Sequence, residues 1–379
     1  MQGVGAAAFL PAGLALLSRA YRPGPRKNFV FAVYGAFACI GFYFGIFVGA
    51  VSAEYLDWRW YFWIGAVLCL VVGVSGALTI PPRLGDVDPA ARMDWWGAVT
   101  IVPGLVLVVF AFTDGGHAPD GWRTPYVCVT LALGVLFLAA AVYVQGWVSS
   151  RPLLPPELFR QRYMKRLVGA LFCSYGVFGL IETVMHTPPI LTAAWFTPMA
   201  VGGMFLCIGG GFILHIVSNR VLMVVSCLGF LLSSLLFALI PDPASSGKST
   251  SFLYWAYIFP AMLGGTVGVD ITFSVTNVFI TTAMPRRHQA AASGLINSLL
   301  YLGIAFWLGI AELAVSAAVR ARGGGEGALA PRAQYQIGFW TGVALSAVSL
   351  CLTVTVKMGQ AEAAMTADEK AELGRENQT

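Results

Sequence analysis

Eleven long apolar stretches separated by short polar loops run through the chain: Gly3–Leu17, Phe29–Ala53, Tyr61–Ile80, Trp96–Phe112, Tyr126–Trp147, Leu167–Met185, Ile190–Val217, Val221–Ile240, Phe252–Met284, Gly294–Val319 and Ile337–Val356. A bilayer core about 30 Å thick takes roughly 20 helical residues per crossing, and nearly every stretch reaches that length. Spanning strands would alternate apolar and polar positions over about 10 residues. These runs are apolar on every face, so the pattern predicts helices. The expected fold class is an all-α, polytopic membrane helix bundle with about 11 spans. Phe252–Met284 is longer than one perpendicular crossing requires; it must tilt, break or leave the membrane, and Pro260, Gly264, Gly265 and Gly268 offer places to bend.

Composition agrees. Hydrophobic residues make up 58% of the 379 and charged residues 11%, too few to cover a soluble core of this apolar content. Loop charge then sets the topology. With the C-terminus inside, the cytoplasmic loops hold 17 of the 23 Lys and Arg, including Arg151, Arg160, Arg162, Lys165 and Arg166. The net charge of +5 is this inside bias and calls for no nucleic acid. Eleven spans with a cytoplasmic C-terminus leave the N-terminus outside. The first stretch has no basic region before it and carries Pro11, which argues against a secretory signal. The expectation is that one or more helices precede residue 1 and are missing from this sequence.

The chemistry of soluble sites is sparse. All seven cysteines fall inside apolar stretches with no paired spacing, and the four histidines are scattered, so neither a disulfide framework nor a metal site is expected. No cofactor is implied. Ser245–Thr250 imitates the end of a phosphate-binding loop but has Asp242 where a glycine is needed and lies on the outer side. Asn377-Gln378-Thr379 spells a glycosylation acceptor in the cytoplasmic tail, where it goes unused.

Membrane-embedded charges stand out because an ionisable group at mid-bilayer costs about 2.5–3.5 kcal/mol on insertion scales. Asp270 sits between Val269 and Ile271 near the middle of its stretch, with Asn277 two turns on. A carboxyl there can take up and release a proton, or glue helices together. Glu182 and His186 lie four apart and share a helix face near the outer boundary, as a proton-accepting pair or as interfacial side chains. Glu312 also lies near an outer boundary, His215 at a cytosolic one, and Asp94 before Trp95-Trp96 is expected to cap a helix.

Five ordered segments resemble one family, the fourteen-helix drug:proton antiporters of the major facilitator superfamily, especially its fungal members. GFYFGIFVGA, with Gly41, Gly45 and Gly49, is similar to the fifth-helix packing and gating motif G-x-x-x-G-P-x-x-G-G, with Ile46 for its proline and Ala50 for its last glycine. Gln2, Gly3 and Gly5 resemble a remnant of the fourth-helix motif R-x-x-Q-G-x-G-A-A, whose arginine falls before residue 1. WRWYFWI from Trp58 resembles the opening of the sixth helix, and RPLLPPELF from Arg151 the connection after two extra helices. GVDITFSVTN from Gly268, followed by Pro285 to Asn297, resembles the tenth and eleventh helices, which adds Asn297 to the candidates.

The resemblance implies a major facilitator fold lacking its first three helices. It divides the chain into residues 1–80 (partial N-terminal bundle, helices 4–6), 81–147 (two linker helices), 148–166 (cytosolic connection), 167–358 (C-terminal bundle) and 359–379 (cytosolic tail). It further implies a monomeric, non-enzymatic transporter in the plasma membrane, or alternatively the vacuolar membrane. Its partners would be protons, lipid and small hydrophobic or amphipathic compounds such as drugs, toxins or secondary metabolites. Asp270 becomes the first candidate for proton coupling or cationic substrate recognition, and Tyr175, Phe178, Tyr254 and Trp255 are candidate pocket aromatics or else plain packing and interfacial anchors. The other expectation is a truncated, non-transporting or sensor-like membrane protein.

Overall fold

The structure, a computed structural model, describes residues 25–80, 93–118, 121–150, 152–160, 163–182, 189–213, 217–241, 247, 249–283, 286–323 and 329–356, with isolated positions before residue 25. Among the described residues every regular element is helical. Lipid offers the backbone no hydrogen-bond partners, and an α-helix satisfies its own. Nine of the described helical segments are long and apolar enough to cross a membrane: Val33–Tyr55, Arg59–Thr79, Trp95–Asp114, Pro125–Val148, Pro189–Gly209, Asn219–Ala238, Thr250–Asn277, Ala291–Ala321 and Arg332–Val354. Each coincides with an apolar stretch read from the sequence. The stretch Leu167–Met185 also forms a helix, Met164–Glu182. The first stretch, Gly3–Leu17, lies almost wholly outside the described residues; Gly3 and Gly5 are helical and exposed, and Gln2 is not described.

Helix starts follow local chemistry. Pro125, Pro156, Pro189 and Pro331 each open a helix, where the missing N–H has no partner to lose. Ser218 accepts from the Val221 N–H at 3.4 Å and Ser249 from the Phe252 N–H at 3.3 Å.

The helices form two compact units. The first holds α1 (Pro25–Tyr55) and α2 (Arg59–Thr79), joined by α7 (Pro189–Trp195) and α8 (Thr197–Ile213) from much later in the chain. Here α1 packs along α7 and α8. Tyr43 Oη and Thr197 Oγ1 lie 2.9 Å apart, and the Ile190 N–H donates to Glu54 Oε2 at 2.9 Å. α2 has no buried residue: it offers apolar side chains all round, as a lipid-facing helix does.

The second unit contains α3 (Trp95–Asp114), α4 (Pro125–Tyr143, extended by a π turn at Val144–Val148), the short α5 (Pro156–Arg160) and α6 (Met164–Glu182). It continues with α9 (Asn219–Ala238), α10 (Thr250–Leu253), α11 (Phe259–Ala283), α12 (Arg286–Ala321) and α13 (Pro331–Val354). Tyr175, Leu171, Met223, Val275 and Ile296 form its core where α6, α9, α11 and α12 meet. Small residues set the close crossings, as expected where burial of apolar surface drives no association. A Cβ on Gly229 of α9 would lie 2.6 Å from the Gly264 carbonyl oxygen of α11, and one on Gly264 would lie 2.9 Å from that of Gly229. α3 and α4 do the same, with Gly104 against the Leu138 backbone and Gly134 against that of Val108. The over-long stretch Phe252–Met284 gains its irregularity from a π turn at Tyr254–Ile258, just before Pro260, and uses Gly264 and Gly268 for packing.

Candidate functional site

α11 presents two unlike faces. Gly264, Gly268, Thr272 and Val275 are buried. Against that face Ser226 of α9 donates to the Gly268 carbonyl at 2.6 Å and lies 2.5 Å from Thr272 Oγ1. The Phe230 ring covers Gly268, where a Cβ would come within 2.7 Å of it. Asp270, Phe273, Ser274 and Asn277, spaced i, i+3, i+4 and i+7, share another face, and each is half-buried. The structure therefore brings Asp270 and Asn277 onto one side of one helix. Tight packing against α9 fixes the rotation of that side. The Asn277 amide donates to the Phe273 carbonyl at 2.9 Å, and the Asn297 amide on α12 to that of Ser293 at 3.0 Å, so both orient within their own helices.

The other sequence candidates fall elsewhere. Gly41, Gly45 and Gly49 line an open cleft of about 560 Å³ between α1 and α2, closed on one side by Trp58, Tyr61 and Phe62. Tyr61 lies over the stripe, with its ring 3.6 Å from where a Gly49 Cβ would stand. Glu182 ends α6; its side chain, like His186, His215, Ser245, Ser246 and Lys248, lies outside the described residues. Tyr175 is wholly buried in the core and Phe178 nearly so, whereas Trp255 is exposed beside Tyr254.

Asp94 is more than a cap. Its carboxylate accepts from the Gly97 N–H at 2.9 Å, from Gln145 Nε2 at 2.6 Å and from the Leu153 N–H at 3.3 Å, while Gln145 Oε1 accepts from the Leu154 N–H at 2.9 Å. Burial pushes its pKa up, but bonds from Gly97, Gln145, Ser149 and Leu153 outweigh that and hold it below the usual carboxylate value. The start of α3, the end of α4 and the connection before α5 are thereby tied at one point. At the other end of α3, Arg320 of α12 donates to the Gly116 and Ala118 carbonyls at 3.3 and 3.0 Å, and His117 meets Glu312 at 3.3 Å. The sequence reading marked Asp94 and Glu312 but neither Gln145 nor Arg320, whose partners are set by packing alone.

The sequence profile of the Major Facilitator Superfamily matches residues 1–308. The chain belongs to this superfamily. It is an integral membrane protein of a family of transporters. It is 29% identical over 93% of its length to the low affinity ammonium transporter of Saccharomyces cerevisiae, covering 68% of that protein. It is 29% identical to the efflux pump terJ of Aspergillus terreus, with 83% of this chain and 61% of terJ covered. With the puromycin resistance protein pur8 of Streptomyces alboniger it shares 32% identity over 83% of its length and 61% of pur8. The chain thus spans about three-fifths to two-thirds of the length of these curated relatives.

Proposed function

We propose that the chain serves proton-coupled efflux of small hydrophobic or amphipathic organic compounds by alternating access, as the fourteen-helix drug:proton antiporters do. The observation that carries this reading is Asp270, an acid half-buried at mid-length of an apolar span, on a face whose rotation the α9 contact fixes. An acid in that position is costly unless it is used. Proton entry moves charge with the field and gains about 2.3 kcal/mol per 100 mV, enough to bias export more than tenfold. The similarity to terJ and pur8 supports efflux. Asp270 takes the proton, Asn277 lies beside its path, and the Gly41, Gly45 and Gly49 stripe of α1 provides the gating surface. The proposed partition remains residues 1–80, 81–147, 148–166, 167–358 and 359–379, in a monomer of the plasma membrane with a cytoplasmic C-terminus.

The test is proton-gradient-driven efflux from proteoliposomes by the chain and by Asp270→Asn. Loss of gradient dependence in the variant is expected; unchanged gradient-driven transport would overturn the assignment. A second reading has the same carboxylate recognising a small cation, favoured by the likeness to the yeast ammonium transporter. Methylammonium uptake that Asp270→Asn abolishes, without drug efflux, would select it. A chain that inserts but moves neither compound would be the non-transporting case.

A further inference from the structure

Gly35, Cys39 and Tyr43 stand four apart on one face of α1, the face that meets α8. The Cys207 thiol of α8 sits in the notch over Gly35, 3.4 Å from where a Cβ would be, and its sulfur lies 3.8 Å from that of Cys39. The Tyr43–Thr197 and Glu54–Ile190 hydrogen bonds further along the same helix hold the register that brings the sulfurs together. Both cysteines are half-buried, hence sheltered yet reachable.

We propose that Cys39 and Cys207 form a dithiol site for a soft, divalent, thiophilic cation, with mercury(II) as the type ligand. Each thiol gives up its proton to water, two sulfur–metal bonds form, and no electron is transferred. The cation's two positive charges are cancelled by two thiolates, so the product is neutral. Between two membrane helices a neutral product is cheaper to hold than a charged one. A monovalent soft ion such as silver(I) on the same two thiolates leaves one negative charge. Zinc(II) seeks four tetrahedral ligands and is the less thiophilic ion. Softness matches the sulfur donors.

The experiment uses the full chain with the exposed Cys69, Cys128 and Cys351 changed to Ser, which leaves the buried Cys173 and Cys227 common to every sample. One equivalent of mercuric chloride is added and a monothiol competitor titrated, with intact mass as the readout. The parent should gain one mercury and lose two hydrogens. It should hold the metal against about 100-fold more competitor than Cys39→Ser or Cys207→Ser, because the second sulfur binds intramolecularly. Digestion of the unsubstituted chain should yield a mercury-bridged pair of peptides containing Cys39 and Cys207, which requires no variant to fold. Equal retention in the parent and both serine variants, a bridge through other cysteines, or zinc or silver held as firmly as mercury would overturn the proposal.

Discussion

Gln145 gives its amide N–H to Asp94 at 2.6 Å and takes the Leu154 N–H on its oxygen at 2.9 Å, so one side chain joins the cap of α3 to the connection leading to α5. Beside it a Cβ on Gly97 would stand 2.1 Å from Gln145 Nε2 and 2.3 Å from Asp94 Oδ2, so a side chain there would push this hydrogen-bonded pair aside. Asp94→Ala removes a cap and strands the buried Gln145 amide and the part-buried Leu153 N–H, and should cost about 1–3 kcal/mol. Thermal unfolding in detergent checks the loss, and faster proteolysis after Arg151 or Arg160 would locate it.

The same carboxyl predicts an acid response. Its folded pKa lies below the unfolded value, so its stabilisation is complete above about pH 4 and is lost as pH falls through the folded pKa. The melting temperature of the parent should therefore drop more steeply below about pH 4 than that of Asp94→Asn. Parallel slopes would refute this role for Asp94.

Two polar contacts join the C-terminal end of α3 to α12, and they differ in weight. The His117–Glu312 pair is solvent-exposed, and Glu312→Gln should change stability by less than about 1 kcal/mol. Gly121 has φ +58°, and a Cβ on it would meet the Arg320 guanidinium at 1.9 Å. Gly121→Ala should cost about 1–3 kcal/mol through backbone strain and by pushing Arg320 off the Gly116 and Ala118 carbonyls. Melting curves of the two variants, compared at one pH, test the order.

The α9–α11 crossing tolerates no side chain. Gly229→Leu should cost about 3 kcal/mol or more, or prevent folding, because each glycine abuts the other's carbonyl. Gly294→Ala, with nothing within 4 Å of the added carbon, should be neutral or stabilising by up to about 1 kcal/mol. Fluorescence-detected size exclusion of both proteins separates the two outcomes. Equal behaviour would mean that the crossing is looser than described.

Helix positions were legible because lipid leaves an apolar run of some 20 residues little else to become, and the Asp94 cap because a short acid before an apolar run is a local signal. The Gly229–Gly264 crossing was not. A glycine that lets two backbones touch looks in sequence like one that bends a helix, and Gly264 was read as a bend. Gln145, Arg320 and the Cys39–Cys207 pair leave no spacing pattern, because their partners come from other helices. Asp270 was visible through its cost in an apolar span; which face of α11 it occupies depended on Ser226 and Phe230, far away in the chain.

α1 finds its main packing partners in α7 and α8, and the two facing cysteines are 168 residues apart. At 5–20 residues per second, synthesis leaves roughly 10–30 s between them. During that interval α1 is already made while α7 and α8 do not yet exist, and its Gly35, Cys39 and Tyr43 face must rest against lipid or a chaperone. The assembly of this first unit is thus paced by the ribosome, and slowed translation between α2 and α7 should lengthen the period in which α1 is open to capture by quality control.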